Sequence, residues 1–263
     1  MKDVKIVFID FDNTLAKSDH TIDVKNREIF RKLADKGVQV VITTGRSILF
    51  IVPKCKQNET SNYVITSNGA EIYNFVNKKV IYQNIITKEN LQIIDDYVKK
   101  YNLLFSANTL DKRFSNKTEN ALGYVYKDTL SDVEEPISQV VLQSYDIDSM
   151  KHLRKDIEDS NIFKIVNKTK NPEEGKLLFY DVVNKDVSKG NAIKLLCEHL
   201  NIDPKRSLAI GDADNDIEMI QEAGVKVAVG NATPALKEIA DIITLSNDQN
   251  GVATILEELN NNI

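Results

Sequence analysis

Two carboxylates spaced i, i+2, Asp10 and Asp12, directly follow an apolar run over residues 4–9. The run is rich in β-branched and aromatic side chains, which predicts a strand buried on both faces. Such a strand ends at the carboxyl edge, where open α/β sheets bind ligands. Two acids placed there repel each other and lose solvation, so they need a cation or a shared proton. Mg2+, which prefers oxygen ligands, would meet this need, whereas a simple pair of turn residues is the alternative.

Two further polar segments follow predicted buried strands. Residues 44–46 come after a strand over 38–43, and Asp212 comes after a strand over 207–210. Parallel strands joined by right-handed crossovers bring their carboxyl ends to one edge of a sheet. In the doubly wound order 3-2-1-4-5-6 the first strand lies between the second and the fourth. We therefore expect Asp12 and Asp212 to be neighbours, although 200 residues separate them in the sequence.

Lys189 stands at the start of a predicted helix, directly after Ser188, which can act as the N-cap. A lysine at this point opposes the helix macrodipole, but it adds to the positive pole at which anions bind. Taken alone, a lysine is more often a solvated surface residue. The neighbouring Gly190 would allow close approach of backbone.

Composition limits the classes of function. The chain has 263 residues, 42% of them hydrophobic and 28% charged, and a formal net charge of −5. Nucleic acids and anionic membranes require basic surface, so we expect neither as a partner. Two cysteines without paired spacing, no signal peptide and no apolar run of membrane-spanning length predict a cytoplasmic protein.

The middle of the chain differs in pattern from both ends. At the ends, strands alternate with helices, which predicts an α/β class with a doubly wound parallel sheet. In the middle, strands alternate apolar with polar residues, which is typical of sheets exposed on one face. We predict a core domain of residues 1–83 and 186–263, with an inserted α+β domain over 84–185. Its predicted elements are strands over 137–142, 162–166 and 177–183, and helices over 91–101 and 149–158.

Four segments together resemble the motifs of the haloacid dehalogenase (HAD) superfamily. They are Asp10–Leu15 (DFDNTL), Thr43–Arg46 (TTGR), Ser188–Gly190 (SKG) and Gly211–Asp216 (GDADND), and they occur in the family's order. The chain is most similar to the Cof-type phosphatases with a class IIB cap, in which a cap is inserted between the second and third motifs. The segment SNGA over residues 67–70 also matches their pattern. The resemblance implies a Rossmann-like core that carries the cap.

The resemblance implies a mechanism for the carboxylates. Asp10 would attack phosphorus and become a phosphoaspartate, a route that splits one hard displacement into two easier ones. Asp12 would protonate the leaving oxygen and then deprotonate the attacking water. Mg2+ would be held by Asp10, by the backbone carbonyl of Asp12 and by Asp212. Asn13 stands where glycine is frequent in the family.

Other motif residues would bind the phosphate or support the site. The expected phosphate ligands are the backbone N–H groups of Phe11 and Gly45, the Thr44 hydroxyl, the Lys189 ammonium and the Asn215 amide. Asp216 would support the metal or Lys189 from behind, and Asn68 would organise loop backbone near the site. Arg46 would reach substrate or, as we favour, pair with an acid near the sheet edge.

We expect a Mg2+-dependent phosphatase that acts on small phosphorylated metabolites, with sugar phosphates favoured by the resemblance. A sugar phosphomutase is an alternative that would need a bisphosphate activator, and a non-catalytic metabolite-binding regulatory protein is a weaker one. The cap should close over the site and choose the substrate. Arg113, Tyr124 and Tyr126 are candidate contacts, although half-buried strand positions are the simpler interpretation. A monomer or a weak homodimer is expected.

Overall fold

The computed structural model of the protein describes residues 3–117, 123–169 and 171–263. The chain divides into two compact units, the first running to Tyr82 and continuing over Ser188–Ile263, the second being Gln83–Val187. Each unit has a sheet and an apolar core of its own. Across the described ranges we find no helix whose length and apolarity would suit a membrane crossing.

Fourteen strands and eight α-helices are described, numbered in chain order. The strands are β1 (Ile6–Ile9), β2 (Gln39–Thr43), β3 (Tyr63–Thr66), β4 (Glu71–Asn74), β5 (Lys79–Gln83), β6 (Leu104–Asn108), β7 (Arg113–Ser115), β8 (Val125–Tyr126), β9 (Val140–Ser144), β10 (Phe163–Lys168), β11 (Leu178–Asn184), β12 (Ser207–Gly211), β13 (Val225–Ala228) and β14 (Ile242–Ile243). The helices are α1 (Val24–Asp35), α2 (Ile48–Asn58), α3 (Lys88–Lys100), α4 (Ile147–Ser160), α5 (Lys189–His199), α6 (Ile217–Glu222), α7 (Pro234–Ile239) and α8 (Gly251–Asn262).

The sheet of the first unit has the order β14-β13-β12-β1-β2-β3-β4-β5. Six of these strands, from β3 to β14, are parallel and lie in the order 3-2-1-4-5-6, so the predicted doubly wound α/β fold is confirmed. The structure adds two strands that the sequence did not predict. Strand β4 pairs antiparallel with β3, and β5 follows it at the edge.

The register of the central strands determines which residues lie together at the carboxyl ends of the strands. All four residues of β1 have no exposed surface, as expected for a strand covered on both faces. Ile9, its last residue, lies opposite Ile42 of β2 on one side and Ile210 of β12 on the other. The residues that follow these three positions therefore leave the sheet at the same level. Asp10 thus lies beside the segments that carry Thr44 and Asp212.

Three helices of the first unit, α1, α5 and α7, begin at side-chain caps. Asp23 accepts a hydrogen bond from Lys25 N–H at the start of α1, and Ser188 accepts one from Asn191 N–H at the start of α5. Thr233 caps α7 directly before Pro234, the first residue of the helix. These caps satisfy backbone donors that have no partner within the helix. The positions at which α1, α5 and α7 begin are thereby fixed locally.

The second unit packs two helices on an antiparallel sheet of order β10-β11-β9-β6-β7-β8, in which only the β7–β8 pair is parallel. Alternate residues of β6 and β9 are buried, which confirms the one-faced pattern. The predicted helices correspond to α3 and α4, and the later predicted strands to β10 and β11. The strand predicted over 137–142 begins only at Val140, because the Ile137 carbonyl accepts from Ile86 N–H at 2.8 Å instead of joining a strand neighbour.

Candidate active site

Asp10 leaves the end of β1 and is only 6% exposed. Its N–H donates to the Ile210 carbonyl at 3.0 Å, which continues the β1–β12 ladder by one residue. The chain then turns through residues 11–15, and Asn13 adopts φ 57° there. Glycine and asparagine tolerate this left-handed conformation best, which explains why Asn13 can occupy the turn. After this turn, the Asp12 carboxylate contacts Arg46, whereas the Thr14 hydroxyl contacts Asp212.

Lys189 lies inside the protein, with 1% of its surface exposed. Its Nζ donates to Asp10 Oδ1 at 2.5 Å and to Asp216 Oδ1 at 2.6 Å. The interpretation of Lys189 as a solvated surface residue is therefore wrong. A buried ammonium is tolerated because it is paired with two carboxylates.

Asp212 and Asp216 follow β12 and complete the cluster of charges. Asp212 Oδ1 accepts from the Thr14 hydroxyl at 3.0 Å. Asp216 Oδ2 accepts from the backbone N–H groups of Asp212 and Ala213 at 3.0 and 3.1 Å. Both oxygens of Asp216 are therefore engaged, one by Lys189 and the other by the loop that presents Asp212.

The cluster carries an excess of negative charge. One carboxylate oxygen from each of Asp10, Asp212 and Asp216 lies within 4.8 Å of the others. When all three carboxylates are ionised they face one ammonium, which leaves two negative charges on buried side chains. Burial, followed by the Asp216 and Asp212 carboxylates, raises the pKa of Asp10 well above its ordinary value against the opposing effect of Lys189. Burial alone would lower the pKa of Lys189, but Asp10 and Asp216 outweigh it and raise that pKa.

These residues fit a hard divalent cation. The donors are all carboxylate oxygens, which Mg2+ and Ca2+ prefer, and the excess charge equals that of one such ion. A bound cation would also oppose the effects that raise the pKa of Asp10, because it favours the ionised carboxylate. The donor set thus agrees with the metal that the sequence implies, without distinguishing one hard cation from another.

Asp12 turns away from the cluster. Its two carboxylate oxygens accept from Arg46, Oδ2 from Nε at 2.8 Å and Oδ1 from Nη2 at 2.7 Å. The Arg46 guanidinium also lies 4.8 Å from the centroid of the Phe50 ring. About a third of the Asp12 side chain and just under half of the Arg46 side chain are exposed. In this conformation, both carboxylate oxygens of Asp12 are therefore bound by Arg46.

The expected phosphate ligands Thr44, Gly45 and Asn215 are joined through Asn68. Thr44 is fully buried, and its hydroxyl accepts from Arg46 N–H at 3.1 Å, so its own proton can still be donated. Asn215 Nδ2 donates to Asn68 Oδ1 at 3.0 Å. A Cβ on Gly45 would meet the Asn68 amide at 2.9 Å, so only glycine leaves room for this side chain.

Sequence reasoning gave no role to Thr14, although the structure ties its hydroxyl to Asp212. The available signal was the spacing D-x-D-x-T itself, which places a buried hydroxyl four residues after Asp10.

In the second unit, the Arg113 guanidinium lies 5.8 Å from the Tyr124 ring centroid. Tyr126 is 49% exposed and donates to Asp128 at 2.6 Å.

Comparisons with known proteins agree with this arrangement. Residues 7–256 match the model of the haloacid dehalogenase-like hydrolase family. The 5-amino-6-(5-phospho-D-ribitylamino)uracil phosphatase YcsE of Bacillus subtilis (strain 168) is 32% identical over 253 residues, which cover 95% of this chain and 94% of that protein.

Solved structures share the whole fold. A haloacid dehalogenase-like hydrolase from Bacteroides thetaiotaomicron superposes with a TM-score of 0.85 at 24% identity, covering 97% of this chain and 99% of that one. The HAD subclass IIB sugar phosphatase BT4131 gives a TM-score of 0.80 at 22% identity, covering 99% and 100%. At these identities the two likenesses establish the fold.

The chain thus combines a doubly wound α/β core, which carries a cluster of buried carboxylates after its central strands, with an α+β unit inserted in the sequence. The chain belongs to the haloacid dehalogenase-like hydrolase family. The resemblance to the Cof-type, class IIB phosphatases is confirmed, and so is the prediction of an enzyme, a phosphatase of this superfamily.

Proposed function

We propose that the protein is a Mg2+-dependent phosphatase that hydrolyses small phosphorylated metabolites, sugar phosphates above all, through a phosphoaspartate at Asp10. The observation that carries this proposal is the buried cluster in which Asp10 meets Lys189 while Asp212 stands beside it. The Bacillus subtilis relative is named for a substrate with a phospho-D-ribityl group, which supports a phosphorylated sugar or polyol as the class.

In the first step, a carboxylate oxygen of Asp10 attacks phosphorus and forms an acyl phosphate. The ester P–O bond breaks, and the leaving oxygen takes a proton from the Asp12 carboxyl group. Asp12 must first part from Arg46 and take up that proton, since both its oxygens accept from the guanidinium in the structure. The opening of this ion pair is therefore part of the proposal.

In the second step, a water molecule attacks the phosphorus of the acyl phosphate. Asp12, now ionised, takes the proton of that water, and the bond between phosphorus and Asp10 breaks. Inorganic phosphate leaves, and both carboxyl groups return to their starting states. Phosphoryl transfer of this kind depends on positioning and on charge stabilisation.

Several groups would hold the phosphoryl oxygens during both steps. Lys189 supplies a positive charge, and Thr44 and Asn215 supply hydrogen-bond donors. Backbone N–H groups of Phe11 and Gly45 would complete the set.

Asp10, Asp212 and the backbone carbonyl of Asp12 would hold Mg2+, which when bound would offset the charge of the phosphoryl oxygens. Asp216 would support the site from behind, because its oxygens already accept from Lys189 and from two backbone N–H groups.

We further propose that the second unit, Gln83–Val187, selects the substrate, and that the protein acts in the cytoplasm. Both cysteines, Cys55 and Cys197, are buried and free, which fits a reducing compartment. A small phosphorylated metabolite would be the only partner required for turnover.

Hydrolysis of p-nitrophenyl phosphate tests the proposal. The purified protein, stripped of metal with a chelator, should be inactive and should regain activity on addition of Mg2+. Asp10→Asn should abolish turnover, whereas Asp35→Asn, an exposed residue at the end of α1, should not. Activity that survives both chelation and Asp10→Asn would refute the proposal. A panel of phosphorylated metabolites, ranked by kcat/KM, then identifies the substrate class.

A further inference from the structure

Three consecutive residues after β3 adopt left-handed backbone conformations. Their φ angles are 52° for Ser67, 56° for Asn68 and 100° for Gly69. Glycine adopts such a conformation without strain, and asparagine tolerates it. Serine is costly there, and it persists only where the surrounding structure compensates. Ser67 therefore requires specific contacts.

Glu71, the first residue of β4, supplies those contacts. It is 4% exposed, and its Oε2 accepts from the Thr66 hydroxyl at 2.8 Å and from the Ser67 hydroxyl at 3.1 Å. One carboxylate oxygen thus binds the side chains on either side of the point at which the chain turns left-handed. Hydrogen bonds to a charged acceptor are stronger than neutral ones, and burial protects them from water.

The same loop touches three segments that carry expected phosphate ligands. Ser67 N–H donates to the Arg46 carbonyl and Asn68 N–H to the Thr44 carbonyl, at 3.1 and 3.0 Å. The Asn68 side chain lies against Gly45 and accepts from Asn215.

The third contact lies at the N-terminus of α5. A Cβ on Gly69 would stand 2.2 Å from the carbonyl oxygen of Ser188 and 2.8 Å from Lys189 N. The backbone of the loop is therefore packed against the residue that begins the helix of Lys189.

We propose that Glu71 is a positioning residue of the phosphate site. Its carboxylate holds Ser67 in the left-handed conformation, and that conformation directs Asn68 between Gly45 and Asn215. Glu71 touches neither substrate nor metal in this account and acts only through the loop. The inference rests on the proposed function, since it assigns the loop to the phosphate site of that reaction.

Loss of the hydrogen bonds that Glu71 accepts should lower activity, and glycine at position 67 should restore it. Glu71→Gln turns a charged acceptor into an amide, so kcat/KM should fall roughly 10- to 100-fold, as small displacements of positioning groups do. Adding Ser67→Gly to this variant should recover most of the lost activity, because glycine adopts the left-handed conformation without the hydrogen bond to Glu71. Glu257→Gln, at an exposed position of α8, is the matched control.

The side-chain amide resonances of Asn68 and Asn215 provide a readout that does not depend on turnover. They should shift in Glu71→Gln and return in the double variant. Normal kcat/KM and unshifted resonances in Glu71→Gln, or a double variant that stays impaired, would overturn the inference.

Two further outcomes are distinguishable. If Glu71→Gln does not fold, Thr66→Val removes one of the two hydroxyl donors, and the same loss with the same rescue by Ser67→Gly is expected. If the wild-type protein hydrolyses no phosphate ester, the proposed function fails. In that case the resonances alone decide whether Glu71 holds Asn68 against Asn215.

Discussion

At the scale of single residues, the site depends on charges that are buried and therefore strongly coupled. Lys189 is paired on both sides, and each carboxylate near it loses its compensation if the ammonium is removed. Removing one partner of a buried ion pair is far more costly than the net contribution of the pair. The sequence indicates a lysine near a helix N-terminus, but not its burial, because a lone lysine usually reaches solvent.

Lys189→Met should lower the free energy of unfolding of the metal-free protein by about 3–5 kcal/mol at pH 7. Asp10 already binds its proton more tightly when folded, so its ionisation opposes folding as the pH rises. The variant's deficit should therefore shrink as the pH falls and the carboxylates become protonated. Urea unfolding at several pH values measures this, with the exposed Lys32→Met as the control. A deficit independent of pH would contradict the assignment.

Thr14→Val should weaken metal binding and activity by roughly 10- to 100-fold, because the Thr14 hydroxyl orients Asp212. Thr43, the last residue of β2, is the matched control. It is equally buried, but its hydroxyl finds no hydrogen-bond partner among the described residues. Thr43→Val should leave activity unchanged. Mg2+ titrations of hydrolysis compare the two variants, and equal effects would show that Thr14 does not act through Asp212.

At the scale of elements, the buried parallel strands of the core were predictable, and strands β4 to β8 were not. The runs that form β1, β2 and β12 are apolar throughout and end in polar motif residues, so both type and order follow from the sequence. These strands have two to five residues each, and polar residues flank or interrupt their apolar residues, so no long apolar run marks them in the sequence. Glu71, which binds the hydroxyls of Thr66 and Ser67, is the first residue of β4, so the geometry of the loop before it could not be predicted either.

Gly69→Ala should disrupt the contact between the loop and α5. The new Cβ would overlap the Ser188 carbonyl and would also require a left-handed alanine, at a combined cost of about 2–5 kcal/mol. Gly37→Ala isolates the second effect, because Gly37 has φ 77° and nothing within 4 Å of its Cβ position. It should cost about 1–2 kcal/mol and leave activity intact. Thermal unfolding and hydrolysis rates measure both, and equal behaviour of the two variants would exclude the close packing.

At the scale of the whole molecule, the charge of the site couples metal binding to stability. A ligand that binds only the folded state stabilises it by about 2.7 kcal/mol at 100 times its dissociation constant. Mg2+ should therefore raise the unfolding temperature of the wild-type protein. Asp212→Asn should remove most of this rise, and Asp35→Asn should retain it. An unfolding temperature that Mg2+ leaves unchanged would contradict a cation site at these carboxylates.

The sequence changes its pattern in the middle, where strands that are apolar throughout give way to strands that alternate apolar and polar residues, and the structure divides into two compact units. The inserted domain over residues 84–185 stays a prediction. The choice of substrate could not be predicted, because we propose that it depends on side chains of the second unit, and no sequence pattern reveals the neighbours of those side chains. Arg113 against Tyr124 and Tyr126 with Asp128 are examples, since local spacing gives no indication of their roles.

The central claim is that Asp10 accepts the phosphoryl group. Rapid acid quench of the enzyme during turnover of p-nitrophenyl phosphate with Mg2+, followed by peptide mass spectrometry, tests it most directly. We expect a phosphoryl group on the peptide that contains Asp10, formed and lost at rates compatible with turnover and absent after chelation. Steady hydrolysis without a phosphorylated enzyme, or with the phosphoryl group on another residue, would contradict the account.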